Sequence, residues 1–396
     1  LVNRERESVF RLDIRSLDGS GINFSLLRKD EPREVGVDYA DMHLYDIDTH
    51  LDNFVVDRSA VSGDITRLSF VERSGFVLED MQGYFYVYNG DVEIKNAVIE
   101  STATKINLDY LLLDGEDWLK YRDFINNIPI TCEISNSYVA SDDVGYFAPE
   151  IWGWKTSLSD VSASMYGTVA NFKGTVANAR LEDGGVLKGS ARVRGLIDVD
   201  KTRFDIDVDR LKASTEEVTY LLHNIAHLSL GEKATQYVSR AKMIDASGAF
   251  NGTIHNFKAR AKSSLGSGGD FSVECTMKNP ATGRKSVNAT LSTTDVDLAR
   301  VLAIEKFGKT TLSANVVAEI GNGEPISLRG GSEVESIALN GYDYKNLSVI
   351  ASIDNNRIAA SMGVADEALN ASMRLLADIS DKKSPVYDAV MEINRA

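Results

Sequence analysis

Apolar and polar residues alternate along most of this chain with a period of two. That is the mark of strands with one dry and one wet face. Ile106, Leu108 and Tyr110 alternate with Lys105, Asn107 and Asp109. Phe204, Ile206 and Val208 alternate with Arg203, Asp205, Asp207 and Asp209. Phe271, Val273, Cys275 and Met277 alternate with Asp270, Ser272, Glu274, Thr276 and Lys278. The same step recurs at Val287-Ala289-Leu291, Leu312-Ala314-Val316, Leu347-Val349-Ala351-Ile353 and Leu369 to Ile379. Strands buried on both faces would be apolar throughout, as in parallel α/β sheets. The pattern therefore predicts a mainly β protein: an elongated, curled antiparallel sheet, a solenoid-like trough, with a few short helices at repeat junctions.

Helical spacing is confined to short stretches. Ser214 with Glu217 three residues on is a capping-box start, followed by the stripe Val218, Leu221, Leu222 and Ile225, so a helix is predicted near 214–228. Others are predicted after Asp295 (with Val296, Leu298, Val301 and Leu302 on one face), around Trp118–Ile125, and over Asp142–Ala148 with Pro149 as its stop. A repeat underlies the pattern. Tyr166-Gly-Thr-Val-Ala-Asn-Phe-Lys173 recurs 85 positions later as Asn251-Gly-Thr-Ile-His-Asn-Phe-Lys258. Asp207-Val-Asp209 recurs 88 positions later as Asp295-Val-Asp297. Units that bury no face alone stack into elongated arrays. The expected regions are 1–130, 131–250 with its helix, and 251–396.

Composition narrows the function. With 43 Lys and Arg against 58 Asp and Glu, the formal charge is −15, which argues against a nucleic-acid binder. No apolar run reaches the ~20 residues of a membrane-spanning helix. The opening at Leu1 and the strand-like close on Val386 to Ile393 read as a piece cut from a longer protein, any anchor lying outside it. Cys132 and Cys275 are in step with apolar neighbours and are expected to be free thiols on the dry face.

Candidate chemistry is sparse. The phosphate-loop, dinucleotide and nucleophile-elbow motifs are missing. His223 and His227 have the i, i+4 spacing of a zinc pair, yet Asn224 stands where the metalloprotease motif carries Glu. Asp205, Asp207, Asp209 and Glu216 mimic a calcium loop, but Arg210 holds the position that its turn reserves for Gly. The wet face of a strand explains these acids fully. Tyr84, Phe85, Tyr86 and Tyr88 fall on both faces of one strand. A carbohydrate-active solenoid would need a carboxylate pair facing a groove, and no spacing singles one out. The reading assigns no catalytic residue, no metal and no cofactor. It offers a surface, and an apolar wall is expected at Ile106, Leu108, Phe204, Ile206, Val208, Val273 and Met277.

Several segments resemble the TamB branch of the AsmA-like family, the inner-membrane component of the translocation and assembly module and a relative of bridge-like lipid transfer proteins. They are Phe10-Arg-Leu-Asp-Ile-Arg-Ser-Leu-Asp18 with Gly21-Ile-Asn-Phe24, then Val61-Ser-Gly-Asp-Ile-Thr-Arg-Leu-Ser-Phe70. Glu72-Arg-Ser-Gly-Phe-Val-Leu78, Tyr146-Phe-Ala-Pro149 and the two Asn-Phe-Lys turns extend the likeness. The resemblance implies a middle, periplasmic segment of a protein anchored in the inner membrane, folded as a taco-like trough. It implies phospholipid acyl chains as partners and a role in outer-membrane biogenesis. An outer-membrane barrel protein would be a further partner, through a C-terminal region beyond this sequence. It brings no catalytic residues. The alternative is a scaffold or chaperone-like platform for outer-membrane proteins, working through sheet edges by strand addition.

Overall fold

A computed structural model describes residues 10–27, 33, 35–39, 41–196, 198–226, 243–264, 269–279, 284–299, 304–321, 327–381 and 384–395. The chain is mainly β, and within each of its two units every described strand pairs antiparallel with its sequence neighbours. It divides once, between Ile197 and Asp198, into two units. The limits expected at 130/131 and 250/251 lie within strands: Ile130 opens a strand paired on both sides, and Phe250 lies inside another.

The first unit is a meander of β1 (Arg11–Leu27), β2 (Asp41–Asp57), β3 (Ala60–Glu72), β4 (Val77–Tyr88), β5 (Asp91–Ser101), β6 (Lys105–Leu113), β7 (Ile130–Ala140), β8 (Ser157–Gly167), β9 (Asn171–Leu181) and β10 (Val186–Arg194). The second continues with β11 (Arg203–Ser214), β12 (Met243–Gly252), β13 (Phe257–Ser264), β14 (Asp270–Lys278), β15 (Arg284–Asp297) and β16 (Phe307–Gly321). It ends with β17 (Ser327–Leu339), β18 (Tyr342–Asp354), β19 (Arg357–Ala365), β20 (Asn370–Asp378) and β21 (Val386–Arg395). Consecutive strands joined by short turns give each unit its meander order, because a hairpin is the cheapest way to satisfy a strand's free ladder groups.

The repeated sequence is a repeated hairpin. In the β8–β9 turn the Thr168 and Asn171 backbones exchange hydrogen bonds of 2.9 and 3.0 Å, and in the β12–β13 turn Thr253 and Asn256 do the same at 2.9 and 3.2 Å. The preceding glycines, Gly167 at φ 122° and Gly252 at φ 138°, occupy backbone that L side chains rarely adopt. A Cβ on either would strike the carbonyl oxygen of Asn171 or Asn256. The Asn side chains then reach one hairpin further, Asn171 Oδ1 accepting from Gly195 N at 3.1 Å and Asn256 Oδ1 from Asn279 N at 2.8 Å.

Bulges interrupt the strands, built on Asn and Asp, the non-glycine residues that best tolerate left-handed backbone. Asn96, Asn136, Asp160 and Asp295 all have positive φ inside strands. A hydroxyl on the next strand takes up the amide freed at several of these points. Ser137 Oγ accepts from Asn107 N at 3.0 Å, Ser162 Oγ from Asn136 N at 3.4 Å, and Thr311 Oγ1 from Asp295 N at 3.1 Å. A bulge shifts the side-chain parity of everything beyond it. Tyr110 therefore leaves the face of Ile106 and Leu108, and Leu111 takes its place, because Asn96 is an extra residue against β4 and Asp109 an extra residue against β7. The Tyr110 ring lies instead under the Lys95 ammonium, 5.9 Å away, on the other face.

The helix near 214 is present as Thr215–Ala226, with Ser214 Oγ accepting from Glu217 N at 3.1 Å. The stretch from 118 folds as a tight 3-10 turn (Trp118–Asp123) followed by one α-helical turn (Phe124–Asn127). The third helix is shorter than expected, Ser141–Val144, and Pro149 opens a separate 3-10 turn (Pro149–Ile151) rather than ending it. After Asp295 the strand runs on to Asp297, and Val296 is a buried strand residue. The bulge at Asp295, not a helix cap, is what the acidic residue provides. Only residues 298 and 299 are helical there, and the rest of that expected helix lies outside the described residues.

Candidate functional site: an apolar face

In the second unit the registers align mainly apolar residues from strand to strand, interrupted by three glycines and Ser332. One row runs Phe204, Gly252, Phe257, Met277, Val287, Ala318, Leu328, Ile353, Ile358, Ala377 and Tyr387. The next runs Ile206, Phe250, Ala259, Cys275, Ala289, Val316, Gly330, Ala351, Ala360, Leu375 and Ala389. A third runs Val208, Gly248, Ala261, Val273, Leu291, Ala314, Ser332, Val349, Met362, Met373 and Met391. At ~4.8 Å per strand the rows cross roughly 48 Å of sheet.

The opposite face carries Asp207, Arg260, Glu274, Thr290, Asn315, Ser361 and Arg374 along one such row. It is not purely polar, since Val317, Ile350 and Leu376 stand exposed on it. Five of the seven expected wall residues, Phe204, Ile206, Val208, Val273 and Met277, thus share the apolar face.

Among the described residues no core covers that face. Among the described residues of the second unit only three hydrophobic side chains are buried, Ala213, Val296 and Ala377, and two of them are alanines. The rows themselves are half-exposed, with Val316 at 38% and Leu291 at 37%. The chain leaves 24781 Å² accessible, against roughly 15,000 Å² expected for one folded protein of its mass and about 18,000 Å² for two of half that mass. Here the sheet is held by its ladders and cross-strand side-chain pairs rather than by a second layer.

The first unit also has an apolar face, and it is closed. Leu78, Met81, Ala97 and Leu108 form a buried cluster, with Ile106, Leu111, Cys132 and Ile134 packed against it. Leu108 is 4% exposed and its partner Ala97 2%. The remaining two expected wall residues, Ile106 and Leu108, therefore meet their own neighbours, not an open surface.

The covering comes from connecting segments. Val37 N donates to Tyr146 O at 2.7 Å, and two residues on Tyr39 stacks on Phe124 at 5.9 Å. Tyr146 and Phe124 belong to connections that leave opposite ends of β7, a strand of 11 residues spanning ~36 Å, whereas residues 37 to 39 span at most ~7 Å. At least one of the two connections must fold back across the sheet. Phe76, packed on the cluster, meets Phe147 at 4.9 Å and Tyr146 at 6.0 Å, so the connection after β7 folds back over the apolar face.

The remaining candidates separate clearly. Asp205, Asp207 and Asp209 line the polar side of β11, with Asp205 accepting from Asn251 Nδ2 at 3.1 Å. Among the described residues no group of three or more His, Cys, Asp or Glu is placed to hold a metal ion. His227 lies outside the described residues. Phe85 faces inward, 6.5 Å from Phe54, while Tyr84, Tyr86 and Tyr88 pair with Lys95, Glu93 and Asp91 on the other face. Cys132 and Cys275 are free and lie on the apolar faces of different units, and burial pushes both thiols up. Asp41 and Asp245 are held below the usual carboxylate range by hydrogen bonds from Arg73 and Arg210, and Asp366 by the Ala368 amide. Each acts as an acceptor rather than a proton donor.

Histidine marks the β1–β2 pair, which sequence reading passed over. The His50 ring meets Asp18 through Nδ1, Ser16 Oγ at 3.3 Å and Asp52 at 3.5 Å through Nε2. The Asp18 hydrogen bond raises the His50 pKa above its ordinary value near 6.5. A raised folded pKa favours the paired state fully below the unfolded value, and that contribution is lost as pH rises through the folded one. Hydrogen exchange of β1 amides should therefore quicken, relative to β5, as the pH rises above about 6.5, and His50→Gln should remove the difference. An identical pH profile in the variant contradicts the assignment.

Comparison with protein-family models, with curated proteins and with solved structures returns no match for this chain.

Proposed function

We propose that the chain is a segment of a lipid conduit, in which the apolar face of the second unit shelters phospholipid acyl chains as they pass between membranes. The observation that carries this reading is a mainly apolar face three rows wide across eleven strands, with no core over it among the described residues. Burying a chain there gains ~25 cal/mol per Å². The rows offer many apolar contacts and no convergent polar group, so the face grips an acyl chain without a specific polar anchor and movement along the row is cheap. The resemblance to the TamB branch supports a periplasmic setting and a role in outer-membrane biogenesis.

No pocket with convergent polar groups is needed for such cargo, so chain length and saturation, rather than headgroup identity, should govern affinity. The wall of this conduit is Phe204, Ile206, Val208, Val273 and Met277 with their row neighbours. Solvent extraction of the purified chain tests the reading: phospholipid should accompany it and be depleted by a non-ionic detergent wash. A chain that emerges free of lipid and takes up none from vesicles contradicts it.

A further inference from the structure

One row on the polar face of the first unit is electrostatically unfavourable as it stands. Tyr166 on β8, Lys173 on β9 and Arg192 on β10 are directly opposite one another, and Arg194 lies next along β10, opposite Asn171. Like charges directly opposite in an antiparallel pair have Cβ atoms only ~5 Å apart and destabilise it. Among the described residues Lys173, Arg192 and Arg194 have no ion-pair partner. The carboxylate closest in register is Glu133 on β7, opposite Ser164 and two strands from Lys173. By contrast Arg180 on β9 is neutralised by Asp160 at 3.0 Å.

The crowding is not a demand of the turn. In the second copy of the Gly-Thr-x-x-Asn-Phe-Lys hairpin, Lys258 holds the position of Lys173, but its neighbours are Asn251 and Thr276. Three unpaired cations concentrated beside an exposed ring (Tyr166 is 68% exposed) in a chain of net charge −15 leave a local demand for an anion. Arg guanidinium groups match phosphate oxygens bidentately, with Lys as a point charge beside them.

We infer that Lys173, Arg192 and Arg194 form a binding site for a phosphate group, with Tyr166 flanking it. The site lies on the polar face of the first unit and stands whether or not the chain conducts lipid. Its phosphate belongs either to a lipid headgroup or to a free ion. The full chain is titrated with inorganic phosphate by ³¹P NMR, and sedimented with phosphatidylcholine vesicles with and without phosphatidylglycerol. Wild type, Lys173→Gln/Arg192→Gln and Lys258→Gln are compared.

The double variant should bind at least tenfold more weakly while its melting temperature holds or rises, because the repulsion is relieved. Lys258→Gln should bind as wild type, and affinity should fall with salt. Binding to inorganic phosphate identifies a free-ion site; binding only to phosphatidylglycerol vesicles identifies a headgroup site. Wild type binding neither probe overturns the inference. So does equal loss in Lys258→Gln, or a double variant that loses binding only in step with its melting temperature.

Discussion

Leu108→Glu should unfold the first unit. The side chain is 4% exposed and packs with Leu78, Met81 and Ala97 on the face over which the connection after β7 folds back. Truncating such a leucine costs about 2–5 kcal/mol, and an unpaired carboxylate adds a desolvation penalty. The sum is comparable with the ~5–15 kcal/mol that holds a typical domain together. Circular dichroism should show loss of one of two melting transitions, with Leu108→Ala lowering that transition without abolishing it. A Leu108→Glu protein that melts as wild type would show that the cluster is not a core.

The same change on the second unit should spare the fold and abolish the function. Ile206 pairs with Phe250 on a face that no core covers among the described residues. A glutamate there keeps its carboxylate in reach of water, so the expected stability loss is about 1 kcal/mol, the span of strand propensities. To an acyl chain moving along the row the charge is a barrier of several kcal/mol, since apolar contact would strip its water. Ile206→Glu should melt normally and lose lipid crosslinking beyond β11. Collapse of the second unit would point to a closed core over this face, and unchanged crosslinking would remove the row from the lipid path.

These opposite expectations for two residues with the same sequence signature mark how far the sequence reaches. Period-two alternation placed Phe204, Ile206, Val208, Val273 and Met277 on one face, and the repeated Gly-Thr-x-x-Asn-Phe-Lys announced a repeated hairpin. Both are local signals. Tyr110 went to the wrong face because a bulge is written only as Asn96 and Asp109, which otherwise read as ordinary wet-face residues. Asp295 looked like a helix start for the same reason, since Asp serves a cap and a left-handed bulge equally well. Nothing in the alternation distinguishes Leu108 from Val273. What separates them is the tertiary path of residues 35–39, 114–129 and 141–156, whose contacts join positions far apart in the chain. The His50 cluster escaped because its partners, Ser16, Asp18 and Asp52, come from two strands whose register the sequence alone leaves open.

The central claim is that the apolar rows of the second unit are the surface that lipid touches. A photoreactive amino acid placed singly along β14, at each position from Phe271 to Met277, tests it most directly in cells with labelled phospholipid. The account predicts adducts with a period of two: present at Phe271, Val273, Cys275 and Met277, and missing at Ser272, Glu274 and Thr276. Adducts of equal yield at all positions, or none at the four apolar ones, would contradict it.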